Sequence, residues 1–164
     1  MMILATLCYL RRDGRTLMIH RVKRAGDIHA GKWNGLGGKL EPGETPEECV
    51  VREVHEESGL RIHAPRLRGL LTFAGFKGDD WYVFTYTADE FSGELVENGE
   101  GYLEWIPDDR LEELPLWPSD HTFFPWLRQE KFFSAKFIYA GDEMRGFTVA
   151  FHGPQPAEIP PDGA

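Results

Sequence analysis

Three glutamates, Glu53, Glu56 and Glu57, stand at i, i+3 and i+4. On a helix that spacing puts all three carboxylates on one face, within about 100° of arc. Like charges this close destabilise a bare helix, so the pattern is either a solvated acidic stripe or a site for a hard cation. Magnesium takes oxygen ligands, keeps several waters and is completed by substrate phosphates. Just upstream lies Trp33-Asn34-Gly35-Leu36-Gly37-Gly38-Lys39-Leu40-Glu41-Pro42-Gly43-Glu44. A glycine-rich loop of this kind can bring backbone close to a ligand, aiming a carbonyl at a metal or amides at a phosphate. Loop and acidic helix together read as a divalent-cation site.

The elements that must hold these groups are also signalled. Thr45 is an N-cap, Pro46 takes the first helical position and Glu48 completes a capping box. Gly59 is the expected stop, so the helix spans Pro46 to Ser58, with Val50 and Val54 beside the acidic face as anchors. Ile3 to Leu10 and Leu17 to Ile19 read as a hairpin about Asp13-Gly14. Residues 64–76 and 80–88 form two further strands around Lys77-Gly78-Asp79, and Tyr102 to Ile106 a short one ended by Pro107. A second helix follows Pro118, covering Phe123 to Gln129. Phe132 to Tyr139 and Phe147 to Phe151 close the chain as a hairpin about Gly141-Asp142. Strands interleaved with two helices predict an α/β fold with a mixed β-sheet between helices.

The chain has 164 residues, a length for one domain able to bury roughly 70% of its unfolded surface. Residues 1–152 read as that domain, and residues 153–164, rich in proline and glycine, as a flexible tail. Eighteen Lys and Arg against 27 Asp and Glu give a net charge of −9, which disfavours binding a nucleic-acid duplex. A small anionic substrate is compatible with that charge once bound cations reverse the sign locally. No apolar run approaches the ~20 residues of a membrane span, and no basic segment precedes the first apolar stretch. No membrane association and a cytoplasmic location are expected. Cys8 and Cys49 make no disulfide framework and read as small buried residues.

Gly38, Glu44, Arg52, Glu53, Val54, Glu56, Glu57, Gly59 and Leu60 fit G-x5-E-x7-R-E-U-x-E-E-x-G-U, the Nudix box, at all nine constrained positions across 23 residues. The chain therefore resembles the Nudix hydrolases. That resemblance implies an α/β/α sandwich, cleavage of a nucleoside diphosphate linked to another group, and Mg²⁺ as cofactor with Mn²⁺ as a substitute. It makes Glu53, Glu56 and Glu57 the catalytic, metal-binding set, and adds the Gly37 carbonyl and Glu100 as further ligands. Arg52 becomes a structural partner of Glu44. One carboxylate takes the proton of the attacking water: Glu53 is favoured, with Glu56 and Glu100 as alternatives.

Beyond the box, Trp33-Asn34-Gly35, Trp117-Pro118-Ser119-Asp120 and the Phe132–Phe137 segment resemble the MutT-type enzymes that sanitise oxidised purine nucleoside triphosphates. The similarity covers roughly residues 3–152 and is strongest to the animal-type branch and its bacterial relatives. It implies a small-molecule nucleotide substrate, with 8-oxo-dGTP converted to 8-oxo-dGMP and pyrophosphate. Asn34 carries a donor and an acceptor for a base edge, Asp120 accepts, and Ser119 does either. Trp117 and Phe73 are packing partners for the base, with a purely structural role in the core as the other reading of each. Thr6, Lys23, Gly37 and Gly38 hold the nucleotide. Oxidation at C8 turns N7 from acceptor to donor, which a matched pocket can discriminate strongly. The animal-type enzymes have two successive aspartates where this chain has Ser119-Asp120, which narrows the expected breadth of oxidised purines. Other diphosphates (ordinary nucleoside triphosphates, dinucleoside polyphosphates, nucleotide sugars) and a non-catalytic nucleotide-binding module are the alternatives. Monomer and homodimer are both open.

Overall fold

The structure is a computed structural model that describes residues 1–21, 31–96, 99 and 101–153. The chain runs through β1 (Met2–Arg12), β2 (Arg15–His20) and the two-residue β3 (Trp33–Asn34) into α1 (Pro46–Ser58). Then come β4 (Arg61–His63), β5 (Arg66–Phe76), β6 (Asp79–Ala88), β7 (Glu90–Ser92) and β8 (Tyr102–Pro107). A 3-10 turn at Asp108–Glu113, the short α2 (Pro118–Phe123), a second 3-10 segment at Phe124–Arg128, β9 (Phe132–Gly141) and β10 (Glu143–His152) follow.

The main sheet has the order β10-β9-β5-β6-β1-β2-β3, with β8 also paired to β2. It is mixed, because β1 runs parallel to β6 and β5 parallel to β9 while the hairpins are antiparallel. Alternation along β1 divides the core between the two sheet faces. Cys8 and Leu10 pack with Val50 and Val54 of α1, whereas Ala5 and Tyr9 pack with Phe123 of α2 and with Phe124 and Leu127 just after it. This is the α/β arrangement with a mixed sheet between helices.

Helix α1 has the predicted bounds, capping box and left-handed Gly59 cap. Val50 and Val54 are fully buried, each contributing about 1.5–3 kcal/mol. That outweighs the few tenths of a kcal/mol per pair, roughly, that like charges cost on one helix face, so the core holds the acidic stripe helical. The second helix differs from the expectation. It begins at Pro118 and ends at Phe123, and residues 124–128 are 3-10. Pro125 lacks the N–H an α-helix needs there, and its ring would meet the carbonyl of His121, so the α-helix cannot continue. The small β4–β7 sheet carries too short a pattern to be read in advance. Among the described residues no helix is long and apolar enough to cross a membrane.

Candidate active site

The first hairpin opens after two residue pairs, Arg11 with Thr16 and Arg12 with Arg15, and the glycine-rich segment fills the space. Thr6 N–H donates to the Gly38 carbonyl at 2.8 Å, and Cys8 and Leu36 exchange backbone bonds at 2.6 and 3.0 Å. The loop thus lies along β1 as a short pseudo-strand. A Cβ at Gly37, whose φ is +152°, would lie 2.1 Å from the Thr6 carbonyl oxygen, so only glycine fits. A Cβ at Gly38 would lie 2.5 Å from Cδ of Glu53. The backbone of the loop is therefore pressed directly against a box carboxylate.

Each glutamate has its own environment. Glu57 is buried, and its Oε1 accepts from Gly37 N–H at 2.7 Å while Arg21 stands 3.8 Å from Oε2. Glu53 accepts from Arg52 at 2.8 Å, and the largely exposed Glu56 from the same guanidinium nitrogen at 3.2 Å. Among the described residues no three such side chains converge closely enough to cage an ion as they stand; the like charges lean instead on Arg52, Arg21 and the loop amide. The donor set nevertheless suits a hard cation. It is all oxygen, and magnesium binds through one or two carboxylates together with waters and phosphates rather than in an all-protein cage.

Arg52 is the brace expected of it. Its Nε and Nη2 hold Glu44 at 2.6 and 2.9 Å, Nη2 also reaches the Lys39 carbonyl at 3.2 Å, and Glu44 Oε1 accepts from Glu41 N–H at 3.0 Å. Hydrogen bonds from Arg52 and the Glu41 amide hold the Glu44 carboxyl down near 2. A depressed acid stabilises the fold fully above its unfolded value and loses that stabilisation as pH falls through its folded one. Lysine cannot reproduce the two-point fork. Arg52→Lys should therefore lower the melting temperature at pH 7, and the gap to the unaltered protein should close between about pH 4.5 and 2. A constant gap across a thermal-melt series over that range would refute the assignment.

On the other side of Gly37 and Gly38 is a cavity whose lining includes Asn34, Phe73, Trp117, Ser119 and Asp120. Sequence-distant residues meet here because β3 pairs with β2, Phe73 stands opposite Trp81 on neighbouring strands, and α2 opens at the rim. Trp33, stacked on His20 at 4.5 Å and donating its N–H to Pro115, sets the position of Asn34. Phe73 and Trp117 combine both readings made of them, since they pack with Phe76 in the core cluster and also line the cavity. Asp120 is buried, with one oxygen accepting from Trp117 N–H at 3.1 Å. Burial pushes its carboxyl up to about 7, against a smaller downward pull from that N–H and from Lys32.

Two expectations shift in character. The Thr6 hydroxyl turns to the Gly38 carbonyl and Cys49 Sγ, at 3.3 and 3.4 Å, so it positions the loop while the residue still lines the cavity. Ser119 also lines the cavity, but its hydroxyl bonds that of Tyr139 at 2.8 Å. Lys23 and Glu100 lie outside the described residues. Tyr139, Trp81 and Arg21 line the cavity without having been singled out from sequence. Trp81 and Tyr139 lie on strands read correctly, but strand alternation does not tell which faces meet at a cavity.

The chain is similar to proteins of one family. Residues 1–127 match the NUDIX domain family. The chain is 37% identical over 120 residues to the uncharacterized Nudix hydrolase YvcI of Bacillus subtilis, covering 70% of this chain and 72% of that one. It is 35% identical to the oxidized purine nucleoside triphosphate hydrolase of Danio rerio, over 86% of this chain and 89% of that one. Among solved structures, the MutT protein from Bacillus halodurans superposes with a TM-score of 0.80 at 30% identity, covering 90% of this chain and 97% of its own.

Proposed function

The chain belongs to the Nudix hydrolase family, and from that membership and the cavity beside its box we propose that it hydrolyses oxidised purine nucleoside triphosphates, converting 8-oxo-dGTP to 8-oxo-dGMP and pyrophosphate. One observation carries the reading. The Gly37–Gly38 backbone touches Glu57 and Glu53 on one side and, on the other, lines the cavity that holds Asn34, Trp117 and Asp120. A base seated in that cavity would present its phosphates to the carboxylates. The hydrolase domain is taken as residues 1–152, because β9 and β10 complete the sheet beyond the matched span.

Nudix hydrolases use divalent cations, and Mg²⁺ is the cation we assign here, held by Glu53, Glu56 and Glu57 with the Gly37 carbonyl and Glu100 as further ligands. When bound, it neutralises phosphate oxygens and acidifies a coordinated water. The protein's own tasks are positional and protolytic. Arg52 and Glu44 lock loop to helix, the Glu57–Gly37 bond fixes the loop's height, and Glu53 takes the proton of the attacking water. Asn34 and Asp120 read the base edge, Trp117 and Phe73 pack its faces, and Thr6, Lys23, Gly38 and Ser119 complete the nucleotide site.

The test is product analysis with purified protein and Mg²⁺, offering 8-oxo-dGTP and dGTP at equal low concentration. Release of 8-oxo-dGMP and pyrophosphate should run at least about tenfold ahead of dGMP release, the scale a missing matched hydrogen bond allows. Equal rates would redirect the substrate assignment to other diphosphates.

A further inference from the structure

We propose that Trp81 is a specificity-determining residue whose indole N–H donates to the C6 carbonyl oxygen of the substrate base, so that the pocket takes oxidised guanine in preference to oxidised adenine. The inference rests on the oxidised-purine reading above and narrows it. Trp81 lies on β6 opposite Phe73 and lines the same cavity. Its ring is held from two directions, by Lys39 Nζ at 5.4 Å from its centroid and by the Phe76 ring at 6.4 Å in an edge-on contact. Its Nε1 is buried and has no acceptor among the described residues. The same holds for Nδ2 of Asn34.

Buried N–H groups without acceptors are rare in folded proteins because each forfeits its hydration for nothing. Two of them on residues lining one cavity imply acceptors supplied by what enters it. The remaining polar groups do not restore the balance. One oxygen of Asp120 is engaged by Trp117 N–H. The Ser119 and Tyr139 hydroxyls are bonded to each other, which uses one of their two protons and leaves the other to donate. The Trp81 N–H is therefore left with no protein acceptor among the described residues. Guanine and adenine oxidised at C8 both carry a carbonyl there, so the two differ at C6, where guanine has a carbonyl oxygen and adenine an amino group. Donor would then face donor, and a mismatch of that kind discriminates more strongly than the loss of an apolar contact.

Trp81→Phe keeps an aromatic ring beside Lys39 and Phe76 and removes the N–H together with part of the indole's volume, a packing loss that both bases would feel alike. Steady-state kinetics with 8-oxo-dGTP should show KM raised about 3- to 10-fold, the range of one neutral hydrogen bond, with kcat little changed. The KM for 8-oxo-dATP should stay where it was, so the preference between the two shrinks. A second readout is independent of turnover. The chain has five tryptophans, and the indole ¹H–¹⁵N signal lost in Trp81→Phe identifies Trp81. In the unaltered, metal-free protein that signal should move downfield when 8-oxo-dGMP is added. An unmoved Trp81 signal at saturating 8-oxo-dGMP, or an unchanged preference in Trp81→Phe, overturns the proposal. An unaltered enzyme that does not favour 8-oxo-dGTP over dGTP removes the reading beneath it, a failure visible before any variant is made.

Discussion

Glu56→Gln is expected to cut kcat for 8-oxo-dGTP by about 10²- to 10⁴-fold, the range associated with loss of a positioned catalytic carboxylate, while the protein folds as before. Glu56 is mostly exposed, its side chain making an i,i+4 contact with Arg52, so glutamine removes charge without opening a cavity. The change also relieves repulsion with Glu53 and Glu57 on the same face. The melting temperature should be unchanged or slightly higher. Activity and stability moving apart in this way is what separates a metal-binding or proton-transferring acid from a structural one. Glu53→Gln should lose activity on the same scale. Near-normal kcat in both variants at saturating Mg²⁺ would sink the assignment of the box face as the reaction centre and return the nucleotide-binding module to consideration.

The second large effect concerns Asp120, where stability and function should oppose each other. Its carboxyl titrates near 7 because burial disfavours the charge. A group whose folded pKa lies above its unfolded value favours the fold when protonated and weakens it as pH rises through that folded pKa. Asp120→Asn removes the titration but keeps an oxygen for the Trp117 N–H, now accepting on Asp120 Oδ2. The variant should therefore gain stability relative to the unaltered protein as pH rises from about 4 to 7, the gain levelling off above that, at a total on the order of 4 kcal/mol. The same substitution replaces the carboxylate proposed to accept base N–H groups with a neutral amide. The KM for 8-oxo-dGTP should rise about 10- to 100-fold, as for loss of a charged hydrogen bond. Thermal melts at pH 5 and pH 8, set beside KM at pH 8, read both effects. A variant that is less stable at pH 8, or that binds substrate equally well, contradicts the role given to Asp120.

A fold that retains a buried carboxylate near its ionisation point against its own stability points to a function at that position. The same logic applies to the orphan donors of Trp81 and Asn34, groups that a purely structural core would have paired.

Much of the site was legible in one dimension because its signals are local. The α1 bounds follow from Thr45, Pro46, Glu48 and Gly59, all within hydrogen-bonding reach of their own neighbours in sequence. The shared face of Glu53, Glu56 and Glu57 follows from helical pitch alone. The Arg52–Glu44 pair is implied by the box pattern, and the two side chains meet in a two-point contact. What sequence could not decide was every relation across the fold. That the first hairpin parts after two residue pairs, with β2 passing to β3 and the glycine-rich segment bonding to β1, is a matter of strand pairing. That Trp81 faces Phe73, that Tyr139 takes the Ser119 hydroxyl, and that Thr6 turns to the loop and Cys49 depend on strand register. Register is set by burial of whole faces, not by any residue's neighbours in the chain. Thus the sequence alone determined the helix, its cap and the shared face of the three carboxylates, because short-range geometry settles them. The tertiary structure alone decided which polar groups are buried together in the cavity, because only packing removes them from water.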